Sequence, residues 1–330
     1  MKPKQTKMGI KSSPIGKSFI GFCVVRKKEI KYKQNGKPYL VLELGDHSGR
    51  LKARLWEKPL QYAESTHVGT IVKIKAVPQV YQDRRDLKIE KLREVTNNDP
   101  IELTDLLPQS TKDIDGLKEQ FYKHYNSIHN FHLNQLLSLL FKDKEFTRNY
   151  FLAPAGKLWH HNYLSGLLEH VVAMLELADP IKNHYPDLDI DLLKTGIICH
   201  NMGKVHEYTL NGFIDISDEG RLLGYVTMGY EIISKKIEEI TDFPPELRKR
   251  LLHLILSHQG DTPKGAPVVP MTVEAIVLEH LIQLDARTNA LFRIKENDAV
   301  PDSNWTKYIQ LLDRFIYVGQ KPNQGKRQHD

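Results

Sequence analysis

The sequence predicts an α+β protein of two domains, in which a small five-stranded β-barrel precedes an all-helical domain. Apolar and polar residues alternate in short runs over residues 19–95, which is typical of strands. From residue 117 onwards the apolar residues recur at helical spacing. The charge also divides: residues 1–100 carry 22 Lys and Arg against 10 Asp and Glu, and residues 101–330 carry 25 against 31. The two halves therefore differ in both structural class and sign of charge.

Five apolar or alternating runs account for the barrel. They lie at residues 19–25, 39–44, 51–56, 71–77 and 87–92. Asn35-Gly36 supplies the positive φ angles of a tight turn between the first two runs, and a longer connection precedes the fourth. Five short strands in this order predict a Greek-key barrel of the OB type.

Composition excludes several classes of protein. The chain is 40% hydrophobic and 27% charged, which is typical of a globular protein. No run approaches 18 apolar residues, and the basic N-terminus has no apolar core of a secretory signal. Two cysteines, Cys23 and Cys199, cannot build a disulfide framework or a four-cysteine zinc site. We therefore expect a cytoplasmic protein that has no membrane partner.

Basic and aromatic residues recur together on the predicted barrel. Basic side chains neutralise phosphates and aromatic faces stack on unpaired bases, so the barrel is predicted to bind single-stranded RNA or DNA. The candidate residues are Lys52, Arg54, Trp56, Lys73, Lys75, Tyr81, Arg84, Arg85 and Lys88.

The domain boundaries follow from these patterns. We expect a basic tail over 1–16, the nucleic-acid-binding barrel over 17–96, a linker and connecting helix over 97–130, the helical domain over 131–319 and a polar tail over 320–330. Near the end of the helical domain, Trp305, Tyr308, Leu311, Leu312 and Phe315 have the spacing of an apolar helical stripe.

Histidines occur on several apolar helical segments, of which His170, His200 and His258 are the clearest. Histidines on successive helices can converge inside a bundle as metal ligands. Each can equally be a hydrogen-bonded histidine of the core, and the residues alone leave both alternatives open.

Three motifs carry a resemblance to a known family. They are HHNYLSGLLEHVV at 160–172, DLLKTGIICHNMGKV at 191–205 and SHQG at 257–260. With the blocks NGKP at 35–38 and LDAR at 284–287, the chain resembles the YhaM-type family over residues 17–320. The resemblance implies an OB barrel joined to an HD-type helical domain, homo-oligomers, and a Mn²⁺-dependent 3′→5′ exoribonuclease. It assigns the metal to His170, His200 and His258, and catalysis to His200, Asn201 and Lys204.

The chain departs from that family at four positions where metal ligands are expected. Asn201 replaces the aspartate of the His-Asp pair, Tyr225 and Gln259 replace histidines, and Ile282 replaces the last aspartate. Asparagine offers one neutral oxygen, tyrosine has a pKa of about 10, and isoleucine has no donor. Three imidazoles suit one zinc or nickel ion but not a pair of oxygen-preferring ions. We therefore expect the domain to bind one such ion or no metal.

Three functions remain. The first is a single-stranded nucleic-acid-binding protein, RNA-preferring, in which the HD metal centre is degraded and hydrolysis is lost or weak. The second is an active metal-dependent 3′→5′ exoribonuclease with a reduced, histidine-only metal site. The third is a protein whose HD pocket accepts a nucleotide as a regulatory ligand.

Overall fold

The computed structural model of the chain describes residues 8–262, 265–301 and 303–319. The predicted fold class is confirmed, because a closed five-stranded barrel comes first and a helical domain follows. The elements of the barrel are β1 (Phe19–Tyr32), β2 (Pro38–Asp46), β3 (Gly49–Leu55), α1 (Pro59–Ser65), β4 (Ile71–Tyr81) and β5 (Arg84–Glu94).

The strands follow one another around the barrel in the order β1-β2-β3-β5-β4, and β1 closes it by pairing with β4. All pairs are antiparallel except β3 with β5, which run parallel. The connection through α1 lets the chain cross from β3 to β4, so that β5 can insert between them. This closed order is that of an OB barrel.

Strand β1 is longer than the sequence predicts. The apolar run predicts a strand over residues 19–25, but the charged residues 26–32 continue the strand. A bulge between Val25 and Lys27 bends it, so its first half pairs with β4 and its second half with β2. Gly36 has φ of 75° in the turn that follows, whereas Asn35 does not have a positive φ, so only one of the two predicted positive angles is present.

The N-terminal segment is not a tail over its described residues. Ile10 is fully buried in the barrel core, and its backbone N–H donates to Asp46 Oδ2 at 2.7 Å. Arg85 donates to the backbone oxygen of Ser13 and so fixes the same segment. An apolar side chain among the lysines fills one end of the barrel, and this explains the difference from the prediction.

The helical domain is built around two buried helices. Its elements, with the short helix that precedes them, are α2 (Leu103–Leu106), α3 (Ile114–Asn126), α4 (Phe131–Lys142), α5 (Lys144–Leu152), α6 (Gly166–His184), α7 (Ile190–Cys199), α8 (Lys204–Glu207), β6 (Tyr208–Thr209), β7 (Asp215–Ile216), α9 (Asp218–Leu223), α10 (Tyr225–Glu238), α11 (Pro245–Ser257) and α12 (Val273–Asn297). Every residue of α7 from Leu192 to Cys199 is buried, and α6 is buried over most of its first three turns. The polar residues at their ends therefore lie inside the domain.

The two domains are joined by a small apolar cluster. Val24 of β1 packs with Leu106, Leu107 and Leu164. Arg26, next along β1, lies over the ring of Phe213 in the β6–β7 turn, 5.0 Å from its centroid. The outer side of β1 thus contacts the helical domain.

The predicted helical stripe near the C-terminus is wrong. Helix α12 ends at Asn297, and Pro301 follows within four residues. The chain then forms isolated bridges between Trp305 and Tyr317 and between Ile309 and Arg314. Apolar residues that recur every three or four positions also occur in such turns, so their spacing alone does not distinguish a helix from this structure. The predicted polar tail 320–330 lies outside the described residues.

The described part of the chain contains no helix that is both long enough and apolar enough to span a membrane.

Candidate functional site

A histidine cluster lies where several elements of the helical domain meet. His170 projects from α6, whereas His200 and His258 cap the C-termini of α7 and α11. The ring centroids of His170 and His200 are 5.4 Å apart, and those of His200 and His258 are 5.2 Å apart. All three rings are buried. The structure therefore brings together the three histidines that the sequence singled out.

Hydrogen bonds fix which nitrogen of each ring carries the proton. His200 Nδ1 lies 2.7 Å from the Ile197 carbonyl oxygen, and His258 Nδ1 lies 2.6 Å from that of Ile255. A carbonyl oxygen only accepts, so both Nδ1 atoms donate and both Nε2 atoms keep a free lone pair. His170 Nδ1 lies 2.5 Å from Asp285 Oδ2, which orients it in the same way. A carboxylate behind an imidazole is the usual support of a metal-ligating histidine.

Within the histidine cluster, three buried atoms that could bind a metal have no hydrogen-bond partner among the described residues. They are the Nε2 atoms of His170 and His200 and the Oδ1 atom of Asn201. Leaving such atoms without a partner is costly unless a ligand binds them. This donor set fits a divalent ion, and its two nitrogens favour zinc or nickel over magnesium. A divalent ion bound there would polarise a phosphodiester and activate water.

The third histidine is already engaged. Its Nε2 lies 3.1 Å from the Tyr225 hydroxyl, and Gln259 Nε2 donates to the same hydroxyl. Because that hydroxyl accepts from Gln259, its own proton is available to His258. Gly203 permits this arrangement, since a Cβ there would lie 2.0 Å from the backbone oxygen of Tyr225. Two of the four residues that depart from the family pattern therefore satisfy His258 with neutral hydrogen bonds.

The fourth departing residue, Ile282, is buried and offers no donor. Asp285, one helical turn further along α12, supplies the carboxylate that contacts His170. Burial raises the pKa of Asp285 to about 6, against the opposing effect of His161. Asp285 therefore supports His170 from behind, and the histidine-only metal site stays a prediction.

Burial keeps the imidazoles neutral. It lowers the pKa of His258 to about 4 and lowers the pKa values of His170 and His200 well below their ordinary range. Neutral imidazole is the form that binds metal.

Lys204 begins α8 and is buried against the same cluster. Its Nζ donates to the Ala155 carbonyl oxygen and lies 4.4 Å from the ring centroid of Tyr225. Burial lowers the pKa of this lysine to about 8, although Glu207 opposes the shift. Lys204 is thus held by the protein itself, beside Tyr225.

Sequence reasoning missed two histidines of the cluster as ligand candidates. His160 and His161 precede α6, and their ring centroids lie 5.0 and 5.4 Å from that of His170. The signal was the adjacent pair itself, which stands just before a histidine-bearing helix.

On the barrel, most of the candidate nucleic-acid-binding residues share one surface. Lys52 and Arg54 alternate outward along β3, Trp56 directly follows the strand, and Lys88 on β5 is the register partner of Arg54. Arg54 lies over the ring of Tyr81 at 3.8 Å and pairs with Asp86. Exposed Arg84 is the register partner of Tyr81 at the β4–β5 turn.

A stacked aromatic pair continues this surface. The rings of Trp56 and Tyr39 are 4.6 Å apart at 23°, and Lys33 lies 4.2 Å from the centroid of Trp56. We call these residues, with Arg54, Tyr81 and Lys88, the barrel face. An OB fold binds single strands on this side, beside the loops that follow β1 and β4.

The protein itself engages the other three candidates. Lys73 of β4 is bonded to Asp99 at 3.1 Å, and Lys75 of β4 is bonded at 3.1 Å to Glu90, which lies two residues from Lys88 on β5. Arg85 holds the N-terminal segment. Alternation marked them as outward residues but did not show which partners bind them.

A cleft of about 470 Å³ lies between the two domains. Its lining includes Arg26, His47 and Arg50 from the barrel, and Lys157 and Asn162 from the loop that carries His160 and His161. Acidic groups are present too, since Lys157 is bonded to Asp215 at 2.5 Å.

Comparisons with known proteins agree with this architecture. The HD domain family model matches residues 167–315. The 3'-5' exoribonuclease YhaM of Shouchella clausii is 33% identical over 322 residues, which cover 97% of this chain and 98% of that protein. The YhaM of Bacillus subtilis is 33% identical over 310 residues, covering 94% and 97%.

Solved structures give weaker likenesses. A replication protein A heterotrimer bound to single-stranded DNA gives a TM-score of 0.21 at 17% identity, over 26% of this chain and 62% of that chain. The PriB protein of Ralstonia solanacearum gives 0.21 at 13%, over 23% and 95%. The fold of the barrel follows from its closed strand order instead.

An OB-type barrel followed by an HD domain defines a two-domain class of protein. Within that class, the identity over nearly the whole chain shows that this protein belongs to the YhaM 3'-5' exoribonuclease family.

Proposed function

We propose that this protein binds single-stranded nucleic acid, RNA in preference, and that its HD domain hydrolyses phosphodiesters weakly or not at all. The relatives are named as exoribonucleases, and this favours RNA as the polymer. The missing carboxylates favour binding over cleavage.

The observation that carries the proposal is the hydrogen-bonded group of Tyr225, Gln259 and His258. The Tyr225 hydroxyl lies 3.1 Å from His258 Nε2, so one of the three expected metal-ligating nitrogens already has a partner. Burial raises the pKa of Tyr225 far above its ordinary value, so the hydroxyl stays protonated. A neutral hydroxyl, an amide and Ile282 cannot hold a pair of oxygen-preferring ions.

Strand β3 offers a path for the polymer. Its outward residues run from Arg50, which lines the cleft, through Lys52 and Arg54 to Trp56. At about 3.3 Å per residue, the path is about 20 Å long. We propose that bases stack at Trp56 and Tyr39 while phosphates follow the basic residues towards the cleft.

The inter-domain cleft supports the second half of this path. The loop of Lys157 and Asn162 forms its far wall and also carries half-buried His160. A strand end entering the cleft would therefore approach the histidine cluster from the barrel.

An active 3′→5′ exoribonuclease is the second candidate. It is favoured by the partnerless Nε2 atoms of His170 and His200 and the partnerless Oδ1 of Asn201, which suit one ion. In this candidate Asn201 orients water or substrate beside that ion, and Lys204 must leave Ala155 to meet a phosphate.

A single experiment separates the two candidates. The purified chain is incubated with a 5′-labelled single-stranded RNA in Mn²⁺, Zn²⁺ or EDTA, and binding and shortening are read from the same samples. Salt-sensitive binding without shortening, unchanged by EDTA, is expected. Stepwise, metal-dependent shortening from the 3′ end would establish the active enzyme, and absence of binding would refute both candidates. A matched single-stranded DNA tests the preference for RNA.

We also propose that the protein self-associates and acts in the cytoplasm. Leu311, Phe315 and Tyr317 are exposed at 70%, 57% and 55%, which favours a second copy as their cover. Cys23 and Cys199 are buried free thiols, which suit a reducing compartment. Light scattering measures the mass of the wild type and of Leu311→Ser/Phe315→Ser in solution. A wild type with the mass of a single chain would refute the association.

A further inference from the structure

The adjacent residues His160 and His161 turn their rings towards the same point. Their Nδ1 atoms lie 3.2 Å apart, although consecutive side chains ordinarily diverge. One ring nitrogen from each of His160, His161 and His170 lies within 4.8 Å of the others. His161 is buried and His160 is half-buried, so the group lies at the inner edge of the domain surface.

A strained backbone produces this convergence. His161 has φ of 42°, in the left-handed region that non-glycine residues avoid at a cost of about 1–3 kcal/mol. Its N–H donates to Asn289 Oδ1 at 2.9 Å, and its carbonyl oxygen accepts from Ala155 N at 3.2 Å. Gly166 allows α6 to begin against that carbonyl, because a Cβ there would lie 2.1 Å from the oxygen. The surrounding structure therefore holds the two rings together.

The loop before the pair is fixed from α12. Arg293 donates to the carbonyl oxygens of Leu158 and Trp159, each at 2.6 Å. Such anchoring on a helix gives a site whose geometry exists before a ligand binds.

The Nδ1 atoms of His160 and His161 are within hydrogen-bond distance of each other, and their spacing is also that of two ligands on one ion. Two nitrogens bound to a tetrahedral zinc at 2.0–2.1 Å lie about 3.3 Å apart. The 3.2 Å between the Nδ1 atoms of His160 and His161 matches this separation. His170 supplies a third nitrogen, because its Nδ1 is bonded to Asp285 and its buried Nε2 has no partner in the described residues.

A carboxylate lies beside the same group. Asp285 Oδ2 is 3.6 Å from His161 Nδ1 and 2.5 Å from His170 Nδ1. It can therefore offset the positive charge of an ion and orient His170. Its position on α12 is one turn from Ile282, where the family pattern has its own carboxylate.

We infer that His160, His161 and His170 bind one divalent transition-metal ion of the zinc class, with Asp285 as the supporting carboxylate. The site differs from the one that the resemblance assigns to His170, His200 and His258, because it shares only His170 and takes His160 and His161 from the loop before α6. It does not rest on the proposed function, because RNA binding by the barrel face needs no metal. An ion here would fix the wall of the inter-domain cleft.

Metal binding by the full chain tests the inference. The protein is stripped with EDTA, and Zn²⁺ affinity is measured by competition with a chromophoric chelator. Co²⁺ spectra then report the geometry. We expect one ion per chain, with the intense visible bands of tetrahedral Co²⁺, and a loss of more than about 100-fold in affinity in His160→Gln and in His161→Gln. The matched control is His280→Gln, which changes an exposed histidine on the same helix as Asp285.

A further variant distinguishes this site from the one that the family predicts. His200→Gln should keep Zn²⁺ affinity within about threefold, since His200 neither binds this ion nor supports one of its ligands in the proposed site. Loss of binding in His200→Gln, retained binding in His161→Gln, or absence of Zn²⁺ binding in the wild type would each overturn the inference. Circular dichroism checks that each variant is folded. RNA binding is measured in EDTA, so that loss of the metal site and loss of RNA binding can be distinguished.

Discussion

The barrel and the helical domain carry their functional groups in opposite ways. On the barrel face, Trp56 and Lys88 project outward from a core of other residues, so they contribute little to packing. In the helical domain, His170, His200 and His258 are themselves interior residues. A change of function therefore costs the barrel little stability, whereas every change in the histidine cluster must be compensated inside a core.

The Tyr225 and Gln259 pair illustrates that compensation. A buried imidazole that lacks a partner is unfavourable, and these two side chains supply a partner to His258 without a metal. Loss of metal ligands can therefore leave a stable domain, provided that the remaining polar atoms are bonded. The comparison leads to four predictions.

The largest expected effect is a gain of catalytic activity from substitutions that are confined to the helical domain. The variant Asn201→Asp/Tyr225→His/Gln259→His/Ile282→Asp restores the family's ligands and should raise Mn²⁺-dependent 3′ shortening of RNA by about 100-fold or more. Carboxylates bind oxygen-preferring ions that the present donors do not. Shortening of labelled RNA over time measures the effect.

Asn201→Asp alone is nearly isosteric and serves as the control for folding. It should give a smaller gain, and its RNA affinity in EDTA should equal that of the wild type. If the wild type shortened RNA as fast as the four-residue variant, the present donors would already support catalysis, and the prediction would be wrong.

Acid should destabilise the helical domain before the barrel. The pKa of His258 is lowered from 6.5 to about 4, and those of His160, His170 and His200 are also lowered. The unfolded chain then binds more protons, so stability is present above pH 6.5 and is lost as the pH falls towards 4. His258 alone accounts for about 3 kcal/mol.

Asp285 acts in the opposite direction, because its raised pKa of about 6 favours the folded state as the pH falls from 6 to about 4. One carboxyl does not outweigh four histidines. Hydrogen exchange followed by mass spectrometry at pH 7 and pH 4.5, in EDTA, reports each domain separately. Earlier loss of protection in β1–β5 would contradict the prediction.

Loss of one aromatic ring should weaken RNA binding without affecting the helical domain. Trp56→Ala removes the ring that stacks on Tyr39, and a stacking base contributes about 1–3 kcal/mol, or about 5- to 150-fold in Kd. Fluorescence anisotropy of labelled RNA measures the change. Trp56→Phe should restore most of the affinity, and equal affinity of the alanine variant and the wild type would exclude the barrel face as the binding surface.

The smallest effect compares two lysines of the paired strands β4 and β5. Lys88→Ala, on the barrel face, should reduce the salt dependence of RNA binding by about one unit of slope. Lys75→Ala should change the slope less, because Lys75 is already bonded to Glu90 at 3.1 Å. Titrations at several salt concentrations measure both slopes, and equal effects would show that the ion pair with Glu90 does not keep Lys75 from the nucleic acid.

Much of the fold was predictable because its signals are local. Alternation predicted the barrel, and Asn35-Gly36 predicted its first turn. The same reasoning failed at residues 26–32 and 305–315, where pairing with distant strands or a helix end decided the structure.

The candidate site was predictable in part for the same reason. His200 and His258 end their helices in similar ways, each bonded to a carbonyl three residues earlier. Asp285 contacts His170 across 115 residues of chain, and Tyr225 reaches His258 across 33. No spacing in the sequence indicates such contacts.

The sequence by itself determined the two-domain architecture, the charge of the barrel and the absence of carboxylates at Asn201 and Ile282. These depend on residue type and short-range period. Only the tertiary structure decided that Tyr225 and Gln259 satisfy His258, that Asp285 supports His170, and that the rings of His160 and His161 converge. The physical reason is burial, since each polar atom inside the domain must find a partner and the partners come from distant segments.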